Sequence, residues 1–165
     1  MLYPAPIFEK KLCPPEQLIE RLVSLPRPLV FTNGCFDLLH RGHVTYLAQA
    51  RALGASLIVG VNTDASIRRL GKGDDRPIHA QDDRAAMLAA LESVSLVTWF
   101  DEDTPASLLT KILPDVLVKG GDWPSDKIVG GQSVLARGGA VYSIPFVFHT
   151  STTALVKKIR SSQVE

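Results

Sequence analysis

The chain has 165 residues, 45% hydrophobic and 21% charged, with a formal net charge of +1. That is enough for one compact domain with a real core, and the near-cancelled charge argues against a nucleic-acid polymer as partner without excluding a small anion, which needs only a few local donors. Two cysteines, Cys13 and Cys35, make no disulfide framework and fit a reduced, cytoplasmic chain; no segment approaches the length of a membrane span, and Met1 to Lys11 lacks the basic-then-apolar layout of a signal peptide.

In chain order, the Pro-containing start reads as irregular and Glu16 to Ser24 as a short helix, so residues 1–27 form an N-terminal extension and 28–165 the domain proper. Five short, continuous apolar runs follow: Leu29 to Phe31, Leu57 to Val61, Leu96 to Phe100, Val116 to Val118 and Val141 to Ile144. Such runs predict strands buried on both faces. Helical patterns alternate with them. Val44, Leu47, Ala48 and Ala52 recur at helical spacing, with Gly54 as a stop. Asp82 to Glu92 is rich in helix formers. Thr104-Pro105 reads as an N-cap and first helical residue of a helix ending before Pro114, and Ser151 to Arg160 as the last helix. This alternation implies right-handed crossovers and an α/β, Rossmann-like, doubly wound parallel five-stranded sheet with helices on both faces. Arg68 to Arg76 is too polar for core and reads as a mobile loop over the carboxyl edge of the sheet, where ligands bind in such folds.

The chemistry concentrates at the first strand-to-helix junction. Thr32, Asn33 and Gly34 follow the first strand, and Gly34 permits a sharp turn and close backbone approach to a ligand. The helix starts near His40 to Gly42, and its free N–H groups favour a phosphate there. His40 and His43 are three residues apart and can share one face of the first turn, with Gly42 removing a side chain between them. Taken alone, such a pair is as often a solvated helix face; a zinc pair is disfavoured because no further ligands stand at matching spacing. The strand, glycine turn and helix start favour phosphate binding.

The segment Gly34-Cys35-Phe36-Asp37-Leu38-Leu39-His40-Arg41-Gly42-His43 resembles the H-x-G-H nucleotidyltransferases of the cytidylyltransferase type, and Ser151-Thr152-Thr153-Ala154-Leu155 matches a second, distant signature of that family. Within it, the chain resembles the adenylyltransferases of ADP-heptose synthesis, which join ATP to D-glycero-β-D-manno-heptose 1-phosphate for lipopolysaccharide or related glycan precursors. The segments Gly73 to Pro77, Ala90 to Val94, Asp101 to Pro105 and Leu113 to Trp123 carry that likeness. It implies the stand-alone form, because 165 residues leave no room for the sugar kinase fused to many relatives. One departure stands at Phe146 to Thr150, where relatives often carry an acidic residue and Gly; His149 there is a polar contact or a surface His.

The resemblance implies roles. His40, His43 and Lys72 are the catalytic candidates, with Lys72 a cation closing over the phosphates. Thr32, Asn33, Gly34, Cys35, Phe36, Gly120, Asp122, Ser151, Thr152 and Thr153, together with the two histidines, are nucleotide-binding candidates. Asp37, Arg84 and Lys119 are substrate-binding candidates: Asp37 through sugar hydroxyls or else as a helix cap, Arg84 as a phosphate contact or else a helix-surface Arg. Asp122 could take ribose hydroxyls or help hold the Mg²⁺ that accompanies ATP; no protein metal site is expected. Cys35 reads as a backbone contributor rather than a nucleophile, and Trp99, Trp123, Phe146 and Phe148 as packing rather than ring stacking, although Trp123 borders the site. The implied partners are ATP and heptose 1-phosphate, without nucleic acid or membrane, in a possible homodimer. A cytidylyltransferase acting on a polyol phosphate such as glycerol 3-phosphate is the rival enzyme, and a nucleotide-binding module without catalysis the rival of another class.

Overall fold

Leu29, Val30 and Phe31 begin the central strand, and their side chains alternate between two cores. A computed structural model describes residues 4–71, 73, 75–148 and 152–161. Its strands are β1 (Leu29–Gly34), β2 (Ser56–Asn62), β3 (Leu96–Phe100), β4 (Val116–Gly120) and β5 (Ala140–Ile144), all parallel, in the order β3-β2-β1-β4-β5. Its α-helices are α1 (Leu18–Val23), α2 (Arg41–Arg51), α3 (Asp64–Arg69), α4 (Gln81–Ala89), α5 (Ala106–Ile112), α6 (Gly131–Ala136) and α7 (Thr152–Ser161), with three 3₁₀ turns at Ile7–Lys11, Pro15–Gln17 and Ser125–Lys127.

The period-two alternation of β1 decides the layers. Val30 points to one face, with Leu57, Val59, Val97 and Val118, under Tyr46, Leu47 and Ala50 of α2 and Ala85, Leu88 and Ala89 of α4. Leu29 and Phe31 point to the other, with Ile58, Leu96 and Leu117, against Leu18 of α1, Leu108, Leu109 and Ile112 of α5, and Val134 of α6. This is the doubly wound α/β arrangement the alternation predicted. Sequential strands run outward from β1 in both directions, so the strand order reverses between β1 and β4. Crevices form at that reversal, outside the carboxyl ends.

The reversal is opened further by register. β1 pairs with β2 along its whole length, from Leu29 opposite Ser56 to Gly34 opposite Val61. With β4 it pairs only at Val30–Val116 and Phe31–Leu117, although β4 stays paired with β5 as far as Gly120. Beyond Phe31 the two strands therefore part. The Tyr46 hydroxyl occupies the fork: it bonds the Thr32 hydroxyl on β1 and donates to the Val118 carbonyl on β4 at 3.4 Å. A 3%-exposed ring that reaches both edges satisfies polar groups that the missing ladder leaves.

The segment before β1 packs onto the sheet: Cys13 and Leu18 are fully buried, Leu12 bridges Val97, and the Cys13 amide donates to the Val97 carbonyl at 2.8 Å, covering the β3 edge. Several expectations change. β5 is not buried on both faces, because it is the outer strand and Tyr142 is 45% exposed. Two short helices escaped the periodicity reading, α3 and α6, each of six residues; two turns carry too few apolar repeats to register. Part of the polar stretch expected to be loop, Arg68 and Arg69, is the end of α3. Pro105 is the N-cap of α5 rather than its first residue, and the helix closes on Leu113 in the left-handed conformation. No helix among the described residues is long and apolar enough to cross a membrane.

Candidate active site

Gly34 ends β1, and the chain turns through Cys35, Phe36 and Asp37 before α2. The residue in the left-handed region is Phe36, at φ +48°, and not Gly34. A bulky residue there costs about 1–3 kcal/mol and persists only where its surroundings hold it. Two contacts do so. Fully buried Arg84 donates from Nη1 to the Cys35 carbonyl at 2.7 Å, and Asp37 Oδ1 accepts from the Ile78 and His79 amides at 2.7 and 3.1 Å. Gly34 matters for a different reason: a Cβ there would sit 3.1 Å from the Phe36 ring. The turn is thus shaped by packing as much as by glycine's backbone freedom.

His40 is the N-cap of α2, and its side chain makes no cap hydrogen bond. It lies instead on His43, ring centroids 3.9 Å apart at 25°. Phe36 and Phe146 meet His43 edge-on at 5.3 and 5.9 Å. Three-residue spacing on a first turn brings the rings to one side, as expected, and Gly42 makes room for the pair: a Cβ there would stand 3.0 Å from the His40 ring and 3.2 Å from the Phe148 carbonyl. Burial is the main reason that the His43 pKa is pushed down to about 4; the neighbouring His40 adds to it and the Leu38 backbone opposes. Burial also lowers His40. Both imidazoles are neutral at pH 7. Desolvation, rather than the helix N-terminus alone, holds them so.

These residues face a cleft of about 280 Å³ at the fork between β1 and β4, whose wall includes Asn33, Gly34, Cys35, Phe36, Asp37, His43, Arg76, Lys119, Gly120 and Thr152. It continues into a second lobe of about 300 Å³ that shares Asn33 to Cys35, Lys119 and Trp123 and adds Asn62, Asp103, Thr104 and Lys127. Gly120 is needed at the base, where a Cβ would meet Phe146 at 2.9 Å and Tyr46 at 3.1 Å. Among the described residues, five buried side-chain polar atoms have no hydrogen-bond partner: Asp37 Oδ2, His40 Nδ1, His43 Nδ1, Arg76 Nη1 and Thr98 Oγ1. All but the last belong to this cleft or to the ring stacked on its wall. Buried polar atoms are ordinarily paired, so such a concentration marks a place built for a polar ligand.

The remaining candidates fall into four groups. Thr32 lies beneath the floor, fully buried and bonded to Tyr46. Asp122 and Thr153 are exposed and do not line the cleft. Arg84 is neither a surface Arg nor open to the cleft: besides Cys35 it donates to the His79 carbonyl at 3.0 Å and pairs with Asp64 at 2.7 Å, so touching a substrate would require giving up one of these. Lys72, Ser151 and His149 lie outside the described residues. Two residues gain importance. Trp123 is 50% exposed and borders both lobes, with Lys119 Nζ 6.0 Å from its ring, so it is not core packing. Arg76 lines the cleft although nothing local in the sequence sets it apart. Among the described residues no group of three or more His, Cys, Asp or Glu comes together as a metal cage.

A parallel sheet of this order, with an H-x-G-H helix start at its switch point, defines a class of nucleotide-handling α/β proteins, and comparison places the chain within it. A family model described as cytidylyltransferase-like matches residues 31–164, and the chain belongs to that family of nucleotidyltransferases. It is 56% identical to the D-beta-D-heptose 1-phosphate adenylyltransferase of Bordetella bronchiseptica over 93% of this chain and 96% of that protein. It is 53% identical to the bifunctional protein HldE of Hahella chejuensis over 83% of this chain, which spans only 28% of that longer protein. Among solved structures, the lipopolysaccharide core biosynthesis protein of Thermoplasma volcanium aligns with a TM-score of 0.60 at 27% identity, over 74% of this chain and 98% of that one. A pantoate-beta-alanine ligase of Francisella tularensis, at 14% identity and a TM-score of 0.56 over 81% of this chain and 66% of that one, shares the fold alone.

Proposed function

We propose that this chain transfers the AMP moiety of ATP to D-glycero-β-D-manno-heptose 1-phosphate, releasing pyrophosphate and giving ADP-heptose for lipopolysaccharide or related glycan precursors. The observation that carries the chemistry is the pair of stacked, neutral imidazoles at the N-terminus of α2, facing a cleft with unpaired buried polar atoms. The substrate rests on the 56% identity to the Bordetella enzyme over nearly the whole of both chains.

The acceptor phosphate has a second pKa of about 6 and arrives largely ionised, so no general base is required. One of its oxygens attacks the α-phosphorus of ATP in line. The bond from that phosphorus to the β-phosphate's bridging oxygen breaks, and pyrophosphate departs with the electron pair. The protein's part is positioning and charge stabilisation. His40 and His43 donate N–H bonds to phosphate oxygens, and the uncapped N-terminus of α2 adds backbone donors. Thr152 begins α7 at the cleft wall and offers a second helix N-terminus, with Ser151 and Thr153 beside it in sequence. Lys72 supplies a further cation over the phosphates. Mg²⁺ enters with ATP, carried mainly by the phosphates and water, as is usual for this ion. The second lobe, with Asn62, Asp103, Thr104 and Lys127, suits a polyhydroxylated sugar.

The test crosses ATP and CTP with heptose 1-phosphate and glycerol 3-phosphate and follows pyrophosphate. Turnover is expected with ATP and the heptose phosphate. Turnover confined to CTP or to glycerol 3-phosphate would sink the proposal.

A further inference from the structure

Arg68, Arg69 and Arg76 stand in one polar stretch, and only the fold separates them. Arg68 is exposed, and Arg69 is 45% exposed in surface pairs with Asp101 and Asp103. The Arg76 side chain is 10% exposed and lines the cleft, with Nη1 2.9 Å from Asp37 Oδ2. Asp37, at 5% exposure, is better buried still.

This pair is not a finished structural bridge. A buried guanidinium normally grips a carboxylate through aligned, often twofold hydrogen bonds. Here neither Nη1 nor Oδ2 has a hydrogen-bond partner, although they are in ionic contact: the atoms are close but misaligned. Nor does Asp37 depend on Arg76 for its place, because its other oxygen is held by the Ile78 and His79 amides. With both histidines neutral, Arg76 and Lys119 are the cations among the described residues of the first lobe. A phosphate group brings more charge and more acceptor oxygens than one carboxylate oxygen, in a geometry that suits the guanidinium fork.

We infer that Arg76 is a phosphate-binding residue of the cleft, held against Asp37 in this structure and turned onto a phosphate oxygen when substrate binds. The inference rests on the reading of the cleft as a phosphate-handling site. The phosphate is that of ATP or of the acceptor, and kinetics separates the two sources.

Steady-state constants for both substrates, with melting curves, are measured for wild type, Arg76→Gln, Arg76→Lys and Arg137→Gln. Arg76→Gln is expected to raise KM for at least one phosphate substrate about tenfold or more, as for a lost charge-assisted contact, and the KM that moves names the phosphate. Arg76→Lys recovers part of the loss. Arg137→Gln removes an exposed arginine that follows α6, donates to Ser133 and lines neither lobe, and it leaves both KM values unraised. Unchanged KM values in Arg76→Gln, or equal increases in Arg76→Gln and Arg137→Gln, would overturn the inference, the latter by indicating an effect of net charge alone. Should Arg76→Gln not fold, Arg76→Lys carries the same comparison, with a smaller increase expected. Should the wild type turn over none of the substrates, the functional proposal fails by itself. Calorimetric titration with Mg²⁺-pyrophosphate then decides: affinity weakened about tenfold in Arg76→Gln supports Arg76 as a phosphate ligand, and equal affinity excludes it.

Discussion

His43, proposed above as an N–H donor to phosphate, carries a stability cost. Its folded-state pKa of about 4 lies below the ordinary 6.5. Between those values the unfolded chain binds the extra proton and the folded chain does not, so stability falls as pH drops from about 6.5 toward 4 and this contribution levels off below. The penalty is roughly 3 kcal/mol at most. Urea unfolding at pH 7 and pH 4.5 should therefore show a steeper acid loss in wild type than in His43→Gln. Bound polyphosphate favours imidazolium, so the His43 NMR titration should move upward when pyrophosphate is added; an unmoved midpoint would place the phosphates elsewhere. His43→Ala should lower kcat by about 10²-fold, the usual loss for a transition-state donor, and near-normal turnover would remove it from the catalytic role.

At the scale of elements, the site depends on how α2 meets β1 and β4. A methyl group at Gly42 would press on the His40 ring and the Phe148 carbonyl. Gly42→Ala should thus reduce kcat about tenfold or more through misplacement of His40, while the melting temperature changes little, since alanine favours the helix itself. Tyr46 secures the fork from inside. Tyr46→Phe leaves the buried Thr32 hydroxyl without its partner and should cost about 1–3 kcal/mol in urea unfolding. The H-x-G-H spacing was legible because it is local: three residues on a helical turn must lie together. The fork was not, because strand register between β1 and β4 is settled by contacts across more than one crossover. Arg84 illustrates the same limit. Its sequence position, at the start of a helix with acidic neighbours, resembles a surface residue, yet its partners Cys35 and Asp64 come from distant elements.

Across the whole molecule, both faces of the sheet must be covered for the carboxyl edge to hold its shape. The segment before β1 supplies part of one cover through Leu18 and Cys13. Leu18→Ala should cost about 2–5 kcal/mol, the usual range for a fully buried leucine, and a chain begun at residue 28 should lose cooperative unfolding, as read by circular dichroism. A stable truncated domain would show that the segment is only an extension. The alternation of strands and helices, the parallel doubly wound class and the H-x-G-H junction after the first strand were all legible in the sequence alone, because periodicity, caps and a short motif are properties of neighbouring residues. The tertiary structure decided which polar groups are consumed by the fold and which are left for a ligand. It turned Arg84 into a buried brace, set Thr32 under the floor with Tyr46, and brought Arg76 beside Asp37 at the cleft. Those outcomes depend on desolvation and on pairing between remote segments, and neither quantity exists until the sheet is assembled.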